Sequence, residues 1–310
     1  MLSILLAQKI VQLLLIMVFG FVMVKTGLLK SPDSLVLSRI CLYLIVPCLI
    51  LNVFQTELNK ELMGGLSVCL VAVVILHIAG VASGILFARM FHADVVEEMS
   101  VVYPNAGNLI VPLITYVLGE EWLVYSTAFM AVQTMFIWTH CVYRFSGEKK
   151  FNFRKILFNV NILSILAGIF LMVTGLRLPA ALSDVMSSMG DMLGPLSMLV
   201  AGMLAANLKP GAVFRKKRIF LVFAFRMLIF PIAALLIVKG TGYAFRFLNL
   251  DTDKILLVPF LPAIAPSAST IVQFSQVYGR DAEYASAINI LMLLCCVLTM
   301  PLFVYLYGLF

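Results

Sequence analysis

Tyr103-Pro104-Asn105-Ala106-Gly107-Asn108-Leu109-Ile110-Val111-Pro112 is the stretch whose reading decides the fold of this chain. It lies inside an apolar segment of membrane-spanning length. Two prolines, one glycine and two asparagines do not suit a plain lipid-facing helix. Proline removes an N–H, and its ring collides with the preceding turn. In hydrocarbon every freed backbone group needs a partner, so a break survives only inside protein or beside a water-filled cavity. The stretch therefore predicts a discontinuous helix with a binding site at its break. A second such stretch stands far downstream, Pro259-Phe260-Leu261-Pro262-Ala263-Ile264-Ala265-Pro266-Ser267-Ala268-Ser269-Thr270. Two interrupted segments at matching places in two halves of a chain are the sequence pointer to a secondary transporter's site.

The rest of the chain supplies the setting. Of its 310 residues 63% are hydrophobic and 12% charged, and the mean hydropathy is +1.08. A soluble domain is roughly 45–50% apolar and about 25% charged, so the class is polytopic, all-α membrane protein. The formal net charge of +7 comes mainly from loops and is read as a topology signal. No basic face is interleaved with exposed aromatics, and no nucleic-acid partner is expected. The six cysteines, Cys41, Cys48, Cys69, Cys141, Cys295 and Cys296, all fall in apolar runs without metal-ligand spacing. They read as small buried hydrophobes, and no metal or cofactor is expected. The apolar N-terminal stretch is too long for a signal peptide and lacks its basic n-region; it reads as the first membrane helix.

Crossing the hydrocarbon core takes about 20 apolar residues. On that rule ten spans are expected, at 3–24, 35–54, 63–90, 96–118, 122–144, 156–176, 180–207, 214–239, 253–278 and 283–309. Fifteen of the 22 Lys and Arg residues fall on one side of this arrangement, six on the other, and Arg226 inside a span. The positive-inside rule makes the first side cytoplasmic, so both termini are expected to be extracytoplasmic. An odd number of spans per half inverts the halves: 1–145, a linker at 146–155, and 156–310. Pro47 in the second span and Pro195 in the seventh are counterparts, as are the broken fourth and ninth spans.

In order and spacing, these landmarks resemble the auxin efflux carrier family, which contains plant auxin exporters and bacterial malate and malonate permeases. The matching residues are Leu44-Ile45-Val46-Pro47; Pro104-Asn105 with Pro112-Leu113; Gly194-Pro195-Leu196-Ser197-Met198; Phe230-Pro231; and Ala265-Pro266 with Tyr278-Gly279-Arg280-Asp281. The resemblance implies a scaffold of spans 1, 2, 6 and 7 that dimerises. It also implies a transport domain of spans 3–5 and 8–10, which moves like an elevator in the inner membrane. It places the crossover at Asn105 and Ser267. Where relatives often have another proline after the second crossover, this chain has Ile271, with Pro259 and Pro262 upstream instead.

Broken helices suit a small organic anion such as a mono- or dicarboxylate. The N-terminus of a second half-helix presents unpaired N–H groups and a partial positive charge. Pro104 and Pro266 make the breaks, and Asn105, Asn108, Ser267, Ser269 and Thr270 are the candidate substrate contacts. Three ionisable residues within spans are candidate substrate or coupling groups. Arg226 is read as pairing with a carboxylate or snorkelling to the interface, Asp191 as a coupling acid or a structural bond, and His77 as a proton relay or a buried hydrogen-bonded histidine. His140 is read as interfacial, Gln133 and Asn207 as interhelical polar contacts, and Asn159 and Asn161 as capping or packing residues in preference to ligand contacts. A proton or sodium ion is the candidate coupling ion.

The leading function is a secondary carrier, with no Walker A motif for direct ATP drive. A sensor on a transporter fold would bind without flux, and a sodium-coupled symporter of the bile-acid type would also cross two broken helices. An intramembrane enzyme would need a metal cluster or an activated nucleophile, and the sequence has no such pattern.

Overall fold

A computed structural model describes residues 2–55, 60–147, 154, 158, 160–207 and 217–310. Most of the 146–155 linker, and Asn159, lie outside these residues. Every named element is a helix, and among the described residues the one β-type contact is an isolated antiparallel bridge between Pro104 and Ser267. Five helical stretches among the described residues are long and apolar enough to cross a membrane: Ser31–Asn52, Leu62–Phe91, Ala180–Ala205, Arg218–Ala244 and Ala282–Leu309. Val11–Lys25 and Val160–Thr174 are shorter apolar helices. Their outer faces remain apolar, with Phe19, Leu236 and Leu298 exposed, as lipid contact requires.

Three of the four π-helical turns among the described residues stand ahead of a proline, and Ile137–Cys141 does not. A proline within a helix displaces the carbonyl four residues back. Here a π-helical turn stands directly ahead of three X-Pro steps. Cys41–Ile45 precedes Val46-Pro47, Ala106–Ile110 precedes Val111-Pro112, and Phe225–Ile229 precedes Phe230-Pro231. The widened turn takes up the clash without ending the helix. Pro195 acts otherwise. It follows a break at Met192, between helices Ala180–Asp191 and Leu193–Ala205.

Leu2–Lys25 lies along Leu193–Ala205 and also packs on Ala282–Leu309, while Val46–Val53 packs on Val160–Thr174 and Ala180–Asp191. Lys60–Phe91 contacts Val95–Val102, Leu123–Phe136, Phe230–Ala244 and Thr252–Ala263. The first pair is exceptionally close. A Cβ on Gly202 would stand 1.8 Å from the Met17 carbonyl oxygen, and one on Gly20 would stand 2.2 Å from that of Leu199. Small residues allow such backbone approach where lipid supplies no hydrophobic drive between helices.

Candidate functional site

Two helices are interrupted, and the interruptions meet. Asp94 caps Val95–Val102, its side chain accepting from Glu97 N at 2.9 Å. Asp251 likewise caps Thr252–Ala263, accepting from Lys254 N at 3.2 Å. Each helix then ends before a proline. The chain passes through Tyr103-Pro104-Asn105 on one side and Ile264 to Ala268 on the other, and each resumes as helix, through Ala106–Ile110 into Val111–Val117 and through Ser269–Val277. The two interruptions lie antiparallel. Asn105 N donates to Pro266 O at 2.8 Å, and Ala268 N donates to Tyr103 O at 2.9 Å. A proline cannot donate to a ladder, and at Pro104 and Pro266 none is asked of it.

Side chains from two further helices hold this bridge. Gln133, on Leu123–Phe136, donates through Nε2 to Pro104 O at 2.8 Å. Asn289, on Ala282–Leu309, donates through Nδ2 to Ser267 O. The two residues of the bridge thus each have their carbonyl held by an amide from the following helix. Tyr103 fixes its own break through its hydroxyl, which lies 2.9 Å from both Phe136 O and His140 Nδ1. His140, half-buried, is part of the packing around the break.

Arg226 meets backbone carbonyls at the crossing. It is fully buried, at 0% exposure. It donates to backbone carbonyls: Nε to Ala265 O at 3.0 Å, Nη2 to Ala263 O at 2.9 Å and Pro262 O at 3.3 Å, and Nη1 to Val101 O at 3.4 Å. Its guanidinium also lies over the Phe230 ring, 5.2 Å from the centroid. Pro266 has no N–H for the carbonyl of Pro262, four residues back; that carbonyl accepts from Ala265 N at 3.1 Å and from Arg226. The C-termini of the two first half-helices each carry roughly −0.5 charge, and one guanidinium lies against both. The extra prolines Pro259 and Pro262 sit inside the first half-helix and leave the crossing intact.

Around the bridge lies a cavity of about 90 Å³. Asn105, Gln133, Thr134, Asn161, Ser269 and Thr270 supply its polar wall, and the described residues lining it are uncharged. Of the residues singled out from the sequence, Pro104, Asn105, Ser269 and Thr270 line this space. Pro266 and Ser267 form the bridge behind it. Asn108 falls on the Ala106–Ile110 turn, and its side chain lies outside the description. Two larger openings flank the crossing. One of about 700 Å³ reaches Val111 and Thr115 and is lined by Glu120, Glu121 and Asp191. The other, of about 410 Å³, shares Ser269 with the crossing cavity and reaches Ser34, Ser38 and Asn207. Asp191 is exposed in the first opening, away from the bridge. His77 is buried, its Nδ1 2.8 Å from Val73 O and its ring against Phe129 and Phe136. That is the environment of a packed histidine, and His77 does not line the cavity.

Sequence reasoning overlooked Asn289, Glu97 and Glu98. A single amide inside the apolar run Ile288-Asn289-Ile290-Leu291 was the available signal for Asn289. Glu97 and Glu98 stand at the start of the first broken helix and are 2% and 1% exposed. Glu97 accepts from Arg218 at 2.7 and 2.9 Å and from Tyr284 Oη at 2.9 Å. Glu98 pairs with Arg144. These contacts tie the first broken helix to three other helices.

A family model described as "Membrane transport protein" matches residues 5–152 and 148–304. No curated protein matches the chain. With matches over nearly all of its length, the chain belongs to this membrane transport protein family, the auxin efflux carrier family that its proline-marked breaks resemble.

Proposed function

We propose that the protein is a secondary carrier for a small organic anion, with the substrate bound where the two broken helices cross. One observation carries this reading: the Pro104–Ser267 bridge lies beside an uncharged polar cavity onto which the second half-helices open. Each half-helix start contributes roughly +0.5 charge and unpaired N–H groups, a setting that holds a carboxylate without a cationic side chain. The acceptor ends of the first half-helices are occupied by Arg226, on the other side of the crossing.

The reading extends to ten spanning helices in two inverted repeats, 1–145 and 156–310. Matched devices support it. Asp94 and Asp251 open the two broken helices, and Gln133 and Asn289 hold the two halves of the bridge. The reading divides the helices into a scaffold of spans 1, 2, 6 and 7 and a transport domain of spans 3–5 and 8–10, supported by the packing of Leu2–Lys25 on Leu193–Ala205 and of Lys60–Phe91 on Thr252–Ala263. The openings of about 700 and 410 Å³ lie along the seam between them, which suits an elevator displacement. The scaffold forms the homodimer contact, both termini are extracytoplasmic, and a proton or sodium ion is the coupling ion. The test is uptake of labelled malate, malonate and indole-3-acetate into proteoliposomes. Saturable flux of at least one is expected; binding without flux under any imposed gradient overturns the carrier reading.

A further inference from the structure

The cavity at the crossing has two chemically different walls. On one stand the starts of the second half-helices, rich in donors. On the other stands Leu123–Phe136, and it presents acceptors. The amide of Gln133 cannot be turned around, because its Nε2 donates to Pro104 O at 2.8 Å and a carbonyl only accepts. Its Oε1 is thereby directed away from Pro104. That oxygen is buried and has no hydrogen-bond partner, on a residue that is 7% exposed and lines the cavity. Thr134, the next residue, also lines it, and its hydroxyl proton is committed to Met130 O at 2.7 Å, which leaves only lone pairs for a ligand. A buried acceptor without a donor is costly, so this wall calls for a donor from whatever enters.

Resting on the carrier reading above, we propose that Gln133 is a specificity-determining residue that reads a donor on the substrate. The ligand is a compact organic anion that carries an O–H or N–H besides its carboxylate. The carboxylate faces the half-helix starts, and the donor pairs with Gln133 Oε1.

The experiment compares anions that differ by one hydroxyl, malate against succinate and lactate against propionate. They are measured as competitors of labelled uptake and in equilibrium binding to the purified full-length protein. The hydroxylated member of each pair is expected to bind about tenfold or more tightly. In Gln133→Met that ratio is expected to fall to near one. Loss of the Pro104 contact alone weakens both members equally and leaves the ratio unchanged, so the ratio separates recognition from support. A wild-type ratio near one overturns the inference, because water then serves Oε1, and leaves the carrier standing. A ratio that persists in Gln133→Met overturns the assignment to Gln133. Absence of flux and binding for all four anions overturns the inference, while the carrier reading then rests on the malonate and indole-3-acetate fluxes. Should Gln133→Met not fold, the wild-type ratios alone decide.

Discussion

Replacing Arg226 by methionine removes the donors that the ends of the two first half-helices draw from one buried guanidinium. The side chain is fully buried and satisfies carbonyls on both first half-helices. Pro262 O keeps a second donor, Ala265 N at 3.1 Å, and the 3.4 Å contact to Val101 O is weak. The firm losses are therefore the bonds to Ala265 O and Ala263 O, at 3.0 and 2.9 Å. Hydrogen bonds to a charged donor contribute about 1.5–3 kcal/mol each, and the same range applies to acceptors left buried and unpaired. Relief of the desolvation of one buried cation offsets part of this. The net expected cost is about 3–5 kcal/mol, the scale seen when one member of a buried charged pair is removed. In detergent the apparent Tm should drop by several degrees, and organic-anion flux should be lost even below that temperature. Arg226→Lys keeps the charge but not the fork of donors, and it should fall between the two. A methionine variant with wild-type Tm and flux refutes the reasoning, because the half-helix ends would then need no external donor.

Three further outcomes follow from the same contacts. Gly202→Val forces a side chain to within 1.8 Å of the Met17 carbonyl oxygen and should abolish recovery of monodisperse protein by size exclusion, whereas Gly308→Ala, with open space around it, should behave as wild type. Asn289→Leu removes the donor to Ser267 O; it should cost about 1–3 kcal/mol and reduce flux far more than the neighbouring Ile290→Leu. Glu97→Gln replaces a buried carboxylate held by Arg218 and Tyr284. Because Arg218 is 44% exposed and screened by solvent, a loss of about 1–2 kcal/mol is expected, seen as a lower apparent Tm with substrate affinity unchanged.

What could be read in the sequence was what backbone chemistry dictates. Pro104 and Pro266 cannot continue a helix, and the breaks fall there. The apolar runs define helices, and their polar interruptions mark the crossing. What could not be read was pairing across the fold. Arg226 and Pro262 are 36 residues apart, and Gln133 and Pro104 are 29 apart. Nothing local to Arg226 reveals that its partners are carbonyls and not an acid or the lipid interface. Asp191 and His77 looked functional because ionisable groups are rare in spans. One faces an open cavity and the other packs against phenylalanines. Asn289 went unread because one amide among aliphatic residues does not indicate which backbone group it meets.

The central claim, that substrate binds where the broken helices cross, is tested most directly at Asn105. Its backbone N–H makes the bridge and the residue lines the cavity, so Asn105→Ala removes the proposed substrate contact while retaining the backbone bridge. Wild-type protein and Asn105→Ala are compared in proteoliposomes with whichever labelled anion the wild type transports. The account predicts saturable uptake in the wild type and its loss in a variant that remains folded by size exclusion and apparent Tm. Unchanged uptake in Asn105→Ala contradicts it, leaving a carrier whose site lies elsewhere.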